Sequence, residues 1–294
     1  MSASRNNPRF RPPSEANSLI LQIDKGCPYN RCTFCGMYKG IPYERRSLHL
    51  IKELIADAGR DHPGTKRIFL ADGDVMQRPF DELQLILTQI NRSFPALARI
   101  NTYACGRSIL AKSSSELAEL HRLRLHTLYM GLESGDPATL TFVKKHETAQ
   151  EMAEATHLAT DAGFKMSIMV LIGLAGKERT QEHAAATAGI LNNMQPELLS
   201  CLRAVPIPGT PYAQELSAGS ILPLTEWEAV DEMLRLIQLL ELRKTVFRAD
   251  HSSNIRPLAG RFPKDKQRLL ANLKQLLSSS RLDRNHPPPM PLSM

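Results

Sequence analysis

An α/β fold, with parallel strands inside a layer of helices and too few of them to close a full barrel, is what this chain predicts. Three observations carry the prediction. Apolar strand-length runs alternate with amphipathic helix-length segments six times in succession. Capping sequences open several of the helices. The residues able to do chemistry fall directly after the strand runs, where barrels of this kind keep their sites. Six strand–helix units imply a parallel sheet with helices packed outside, short of the eight of a closed barrel.

In order, residues 1–17 are polar and proline-bearing, with Arg11-Pro12-Pro13, and read as an arm leading into a first strand at Leu19 to Ile23. Ser47 to Ala58 sets Leu48, Leu50, Ile51, Leu54 and Ile55 at helical spacing. Pro63-Gly64 breaks the chain before a second strand, Arg67 to Leu70. A helix from Pro79 to Phe94 carries Leu83, Leu87 and Ile90 on one face, and Arg99 to Ala104 is the third strand. Ser113 with Glu116 makes a capping box for a helix through Leu123, and Thr127 to Met130 is the fourth strand. Thr148 with Glu151 caps a helix running toward Ala162-Gly163. Lys165 to Ile172 is nearly continuous in apolar residues, as befits a strand buried on both faces. Gln181 to Asn193 is a helix of small residues, Leu198 to Val205 the sixth strand, and Thr225 with Glu228 caps a helix reaching Leu242.

The barrel is thus expected to span residues 18–244. Residues 245–280 follow as an extension covering its mouth, with a strand-like piece (Thr245 to Arg248), the polar run Asp250 to Asn254 and a helix from Pro263 to about Leu277. Residues 281–294, with Arg284-Asn285-His286 and Pro287-Pro288-Pro289, are expected to be disordered.

No apolar run approaches the ~20 residues of a membrane span, and Met1 to Asn7 lacks the apolar centre of a secretory signal. A cytoplasmic protein with reduced thiols and no membrane partner is expected. Five cysteines, three of them clustered, argue against a disulfide framework. The net charge of +7 admits an RNA partner. The excess is diffuse, however, with Arg5, Arg9 and Arg11 at one end and Lys264, Lys266, Arg268, Lys274, Arg281 and Arg284 at the other. A solvated surface accounts for it.

The stretch Cys27-Pro28-Tyr29-Asn30-Arg31-Cys32-Thr33-Phe34-Cys35 directly follows the first strand. Thiolates favour zinc, copper(I) or iron–sulfur clusters. A structural zinc site usually closes with four ligands, and no fourth cysteine lies nearby. Cys105 and Cys201 stand in separate strand-like stretches and read as core residues. Three thiolates on a four-iron cluster leave one iron open to a cofactor or substrate. A zinc site completed by His or Asp from elsewhere is the competing reading.

The C-x4-C-x2-C spacing, with Phe34 just before the last cysteine, resembles the signature of the radical S-adenosylmethionine superfamily, which usually reads C-x3-C-x2-C. The resemblance covers roughly Asn17 to Pro211. It implies a partial, TIM-like (β/α)6 barrel, a 4Fe–4S cluster held by Cys27, Cys32 and Cys35, and S-adenosylmethionine beside it. Asp72-Gly73-Asp74 looks like a divergent form of the family's Gly-Gly-Glu-like turn, with Asp74 in place of the glutamate, and would receive the methionine amine. Gly131-Leu132-Glu133-Ser134-Gly135-Asp136 is similar to the turn in oxygen-independent coproporphyrinogen oxidases and the Elongator catalytic subunit. There Glu133, followed by Ser134, would meet the ribose hydroxyls. Lys145, with Lys144 as its rival, would pair with the cofactor carboxylate. Leu171-Ile172-Gly173-Leu174-Ala175-Gly176 resembles the family's Gly-x-Pro-Gly-like turn, with Ala175 replacing the proline. Its backbone at Gly173 would meet the adenine edge and Ile172 would pack on the ring.

The resemblance further implies an electron from a flavodoxin or ferredoxin, reductive cleavage of S-adenosylmethionine, and removal of a hydrogen atom from a substrate. Arg203 could bind a substrate carboxylate or phosphate, and His251 and Asn254 could touch substrate from the extension. No appended RNA-binding domain is visible, which favours a small molecule over a tRNA base. The alternative from another class is a non-catalytic iron–sulfur or zinc sensor or carrier, which would have no need of the three strand-end turns.

Overall fold

The computed structural model describes residues 10–291. Eight strands form one mostly parallel sheet, in the order Leu19–Gln22, Arg67–Ala71, Arg99–Tyr103, Leu125–Glu133, Lys165–Ile172, Leu198–Arg203, Val246–Ala249 and Leu258–Arg261, and two short strands, Asp24–Lys25 and Glu44–Arg45, pair separately. The chain divides into two units, the first holding residues 10–30, 37–129 and 158–164, the second 31–36, 130–157 and 165–291.

In the first unit, β1 (Leu19–Gln22) leads to the antiparallel pair β2 (Asp24–Lys25) and β3 (Glu44–Arg45) and then to helix α1 (Leu48–Asp61). β4 (Arg67–Ala71), α2 (Phe80–Ser93), β5 (Arg99–Tyr103), the short α3 (Gly106–Leu110) and α4 (Ser114–Arg122) follow, and β6 (Leu125–Glu133) begins here. The neighbours β1·β4, β4·β5 and β5·β6 are all parallel, so the turns after β1 and β4 leave the same edge of the sheet. Phe69, Ala71 and Tyr129 form a buried cluster, with Ile20 and Tyr103 packed on it. The expected caps are present: Ser47 accepts from Leu50 N–H, and Ser113 and Glu116 bond reciprocally. Each satisfies helix donors that have no partner inside the helix, at about 1 kcal/mol per cap.

The second unit contains the end of β6, α5 (Pro137–Phe142), the start of α6 (Ala149–Asp161), β7 (Lys165–Ile172), α7 (Thr180–Met194) and β8 (Leu198–Arg203). It continues through α8 (Pro211–Ser217), α9 (Glu226–Leu239), β9 (Val246–Ala249), β10 (Leu258–Arg261) and α10 (Lys266–Ser278). β7, β8 and β9 are parallel; β10 runs antiparallel beside β9. The small residues of α7 serve close packing: Ala184, Thr187 and Ala188 are buried, and an added Cβ on Gly135 would lie 2.4 Å from the Ala186 carbonyl oxygen.

Two expectations for the carboxyl-terminal part are corrected. Residues 245–280 are part of the fold itself: β9 and β10 lengthen the sheet beside β8, and α10 packs against α9. Residues 281–291 are not a free tail. The carbonyls of Asp283 and His286 accept from the N–H groups of Trp227 and Glu226, and the Arg284 guanidinium lies 4.7 Å from the centre of the Trp227 ring. Those two N–H groups belong to the first turn of α9, which has no internal acceptor for them. Among the described residues no helix is long and apolar enough to cross a membrane. Most of the predicted amino-terminal arm, including Arg5 and Arg9, lies outside the described residues.

Candidate cofactor site

The cysteine loop begins where β1 ends, and in the first unit its base is braced by buried polar groups. Asp24 takes a bidentate grip from buried Arg78, while Arg46 donates to the Gln22 carbonyl and side-chain oxygens. Gln22 Nε2 in turn donates to Asp72 Oδ2 at 2.8 Å, and so does the Gly26 N–H at 2.9 Å. Asp72, the first residue after β4, is thereby tied to the residue just before Cys27. Gly73 is required for close approach: a Cβ there would lie 2.7 Å from the Cys27 Cβ and 3.0 Å from its Sγ. The Gly73 N–H also donates to the Gly26 carbonyl.

The extra residue in the first cysteine gap has a structural place. Asn30 adopts φ +44°, a left-handed conformation that asparagine tolerates better than most residues. Its N–H points at Cys27 Sγ (3.4 Å), and its side-chain amide donates to the Tyr38 carbonyl (2.8 Å). None of the five cysteines is in a disulfide.

In the second unit, Cys32 and Cys35 share a turn closed by the Cys35 N–H on the Cys32 carbonyl. Between them Thr33 bonds through its backbone to Val143 and Tyr212, and Phe34 packs on the cluster of Val143, Leu174, Tyr212 and Ile221. Ile207 crowds Gly36 so closely that an added Cβ would meet it at 2.6 Å.

The donor set and its surroundings fit the groups the sequence implies. Three thiols on one loop suit a soft metal centre. Asp72 supplies a second observation: it is 1% exposed, its Oδ2 is bonded twice, and its Oδ1 is buried with no hydrogen-bond partner among the described residues. Burial drives its carboxyl above the ordinary aspartate range. A buried acceptor left open is costly, and an ammonium group would satisfy it.

Several candidates are placed differently from the expectation. Asp74, read as the glutamate equivalent, accepts from the Ser108 hydroxyl and the Cys105 N–H, and so anchors the start of α3. Cys105 therefore caps a helix rather than filling the core, while Cys201 is fully buried as expected. Glu133 ends β6 at φ +62° and folds back over Gly131, where a Cβ would collide with its carboxylate. Burial raises its carboxyl, against the pull of Lys145, whose Nζ lies 3.8 Å away. Lys145 thus faces Glu133, and Lys144 is exposed. Ser134 is buried, its hydroxyl accepting from the Asp136 N–H.

The turn after β7 departs furthest. Ile172 is buried and lines a small cavity with Arg203, Ala229, Val230, Met233 and Asn254. Leu171, on the opposite face, is half-buried beside the cluster that holds Phe34. The Gly173 N–H already donates to Glu232 at 2.7 Å, and its carbonyl accepts from the Tyr212 hydroxyl at 3.2 Å. Arg203 donates to the carbonyls of Ser253 and Pro289; Asn254 donates to the Cys201 carbonyl; His251 bonds Ser253. All three proposed substrate contacts are engaged in holding the carboxyl-terminal segment. Gln22, Glu232 and Tyr212 went unremarked in the sequence. Glu232 carried a signal, being an acid on the apolar face of Ala229, Met233 and Leu236.

Comparison with known proteins bears on the same stretch. The sequence profile of the Radical SAM superfamily matches residues 21–186. An uncharacterized methyltransferase of Pyrococcus horikoshii is 26% identical over 226 residues, which is 74% of this chain and 46% of that protein. Among solved structures, coproporphyrinogen III oxidase (HemN) from Escherichia coli superposes with a TM-score of 0.56 at 17% identity, over 75% of this chain and 50% of that one. Archaeal Methanocaldococcus infernus Elp3, lacking its N-terminus, gives 0.51 at 14% identity, over 78% and 59%. The chain spans about half the length of these relatives, and the structural likenesses speak for the fold. Because the matched segment contains the cysteine loop and the turns after β4, β6 and β7, and covers more than half of the sequence, this chain belongs to the Radical SAM superfamily, a family of enzymes.

Proposed function

We propose that this protein is an S-adenosylmethionine-cleaving enzyme in which Cys27, Cys32 and Cys35 hold a 4Fe–4S cluster. The observation that carries the reading is the triple-cysteine loop at the end of β1, inside the segment that matches the family. Asp72, rather than Asp74, takes the methionine amine, because among the described residues Asp72 keeps a buried carboxylate oxygen without a hydrogen-bond partner while Asp74 is bonded to Ser108 and Cys105. Glu133 serves the ribose hydroxyls, and the turn at Gly173 with Leu171 borders the base. When bound, the cluster and S-adenosylmethionine supply the one-electron chemistry that removes a hydrogen atom from an unreactive carbon. The chain's own residues hold and orient: Gly73 lets the cysteine loop seat, Asn30 shapes it, and Asp72 fixes the charged end of the cofactor. The electron donor is a flavodoxin or ferredoxin. A small molecule is favoured as substrate over RNA, since the excess of basic residues is spread along the sequence rather than gathered into one stretch.

Methyl transfer is a second reading, drawn from the name of the Pyrococcus relative. One experiment separates them. The full chain is reconstituted anaerobically, its iron, sulfide and zinc are measured, and S-adenosylmethionine and dithionite are added. Roughly four irons per chain with release of 5′-deoxyadenosine supports the proposal; S-adenosylhomocysteine instead would favour methyl transfer. Bound zinc, or a loaded cluster yielding neither product, would return the protein to the sensor or carrier class.

A further inference from the structure

Glu232 is a carboxylate 1% exposed, on the face of α9 that also buries Ala229, Val230, Met233, Leu236 and Ile237. An acid in such a place carries a desolvation cost that an apolar residue would avoid. Its partners show where that cost is offset. Oε1 accepts from the Gly173 N–H at 2.7 Å and from His183 Nδ1 at 3.0 Å, and Oε2 accepts from the Thr180 hydroxyl. All three donors come from residues 173–183, the connection that leaves β7 together with the first turn of α7. Glu232 reads that connection from inside the helical layer.

Tyr212 holds the same turn from its other peptide group, its hydroxyl reaching the carbonyls of Gly173 and Leu174, each at 3.2 Å. Gly173 itself is half-buried at φ +80°, a conformation closed to most residues with a side chain. With its N–H and carbonyl both engaged, the glycine has little left with which to hydrogen-bond a ligand, and on the side where a Cβ would sit Leu224 lies 3.5 Å away. Leu171, two residues earlier, is half-buried and apolar, so the turn is suited to packing against a purine and poor at hydrogen bonding its edge.

We propose that Glu232 is a positioning residue for the nucleoside end of S-adenosylmethionine: acting through the Gly173 N–H, it sets the height of the surface on which the base rests. This rests on the functional reading above. The requirement is reach rather than charge, since what matters is an acceptor at the Gly173 N–H. Glu232→Asp keeps the charge and withdraws the acceptor by one methylene, whereas Glu232→Gln keeps the reach.

The test measures S-adenosylmethionine affinity and the electron paramagnetic resonance spectrum of the reduced cluster, with and without S-adenosylmethionine, on reconstituted full-length protein. Glu232→Asp is expected to bind about tenfold more weakly, the loss of one charge-assisted hydrogen bond. Its iron content and its spectrum without the cofactor should match the parent. Glu232→Gln should stay within about threefold of the parent, because an amide oxygen still accepts. Equal affinity of Glu232→Asp and parent would overturn the inference, as would a parallel fall in iron content, melting temperature and affinity. Should Glu232→Asp not fold, Tyr212→Phe probes the same turn from the carbonyl side. A loss of about threefold with iron unchanged supports the inference, and no loss overturns it. If the parent with its cluster loaded binds no S-adenosylmethionine, the functional reading itself has failed, a result distinct from these.

Discussion

Asp72 and Asp136 stand at comparable places, each a few residues at most beyond a strand of the sheet, and both are buried. Their surroundings drive them in opposite directions. Asp136 accepts from the Thr139 N–H and hydroxyl and takes a two-point grip from Arg179 at 2.9 and 3.0 Å, so both of its oxygens are occupied. The guanidinium is the chief reason its carboxyl is held down at about 2. Asp72 has two neutral donors on one oxygen and, among the described residues, none on the other, and burial pushes its carboxyl up. One acid is spent by the fold. The other retains binding capacity. Residue type and position along the strand do not separate them; what the fold has already given each of them does.

The largest expected effect tests that distinction directly. Asp72→Asn should keep its oxygen on the Gly26 N–H and Gln22, and so turn an amide N–H2 group to where Oδ1 stood. A cationic amine arriving there meets donors instead of an acceptor. S-adenosylmethionine affinity of the reconstituted protein should fall about 30-fold or more, the value of a charged hydrogen bond lost plus one opposed. Asp136→Asn should change it by no more than about threefold. Equal losses in the two variants, or none in Asp72→Asn, would erase the comparison.

Stability should respond the other way round. Asp136→Ala removes both the cap of α5 and the anchor of Arg179, for about 1–2 kcal/mol at neutral pH by chemical denaturation. The pH dependence follows from the sign of the shift. The folded carboxyl titrates below the unfolded one, so its contribution is complete above the ordinary 3.8 and disappears as pH falls toward about 2. The stability gap between parent and Asp136→Asn should therefore close across that window. A gap that stays constant down to pH 2 would show that Arg179 is not the cause.

The same distinction explains what the sequence made legible. Strands and long helices were readable because their apolar residues recur at a period, and Ser113 with Glu116, Thr148 with Glu151 and Thr225 with Glu228 are bonded as their spacing implies. The six expected strands, the cysteine loop and the turns behind it stand where the alternation of elements puts them. The face to which Ile172 turns was not readable, since a run apolar at every position carries no alternation to assign. Nor was the docking of residues 281–291, which rests on main-chain carbonyls meeting the open N–H groups of α9 and leaves little trace in side-chain composition. The helices α5 and α8 are too short for periodicity. Asp136-Pro137 and Thr210-Pro211, a cap followed by proline at the first helical position, were their available signals.

Arg203 extends the comparison to a cation and carries the smallest expected effect. It too ends a strand, and a positive charge there invites a reading as a substrate anchor. Its Nε and Nη2 donate to the carbonyls of Ser253 at 2.7 Å and Pro289 at 2.8 Å, which places it with Asp136 among the spent residues. Arg203→Lys cannot reproduce that fork, since an ammonium offers one point of attachment where the guanidinium offers two. The expected cost is about 1 kcal/mol, with S-adenosylmethionine affinity changed less than about twofold. The sensitive measurement is limited trypsin digestion at Arg281 and Arg284, which should speed up once the Pro289 carbonyl is released. Affinity falling with no change in digestion would move Arg203 to the side of Asp72, and the rule that an engaged side chain is a structural one would need another basis.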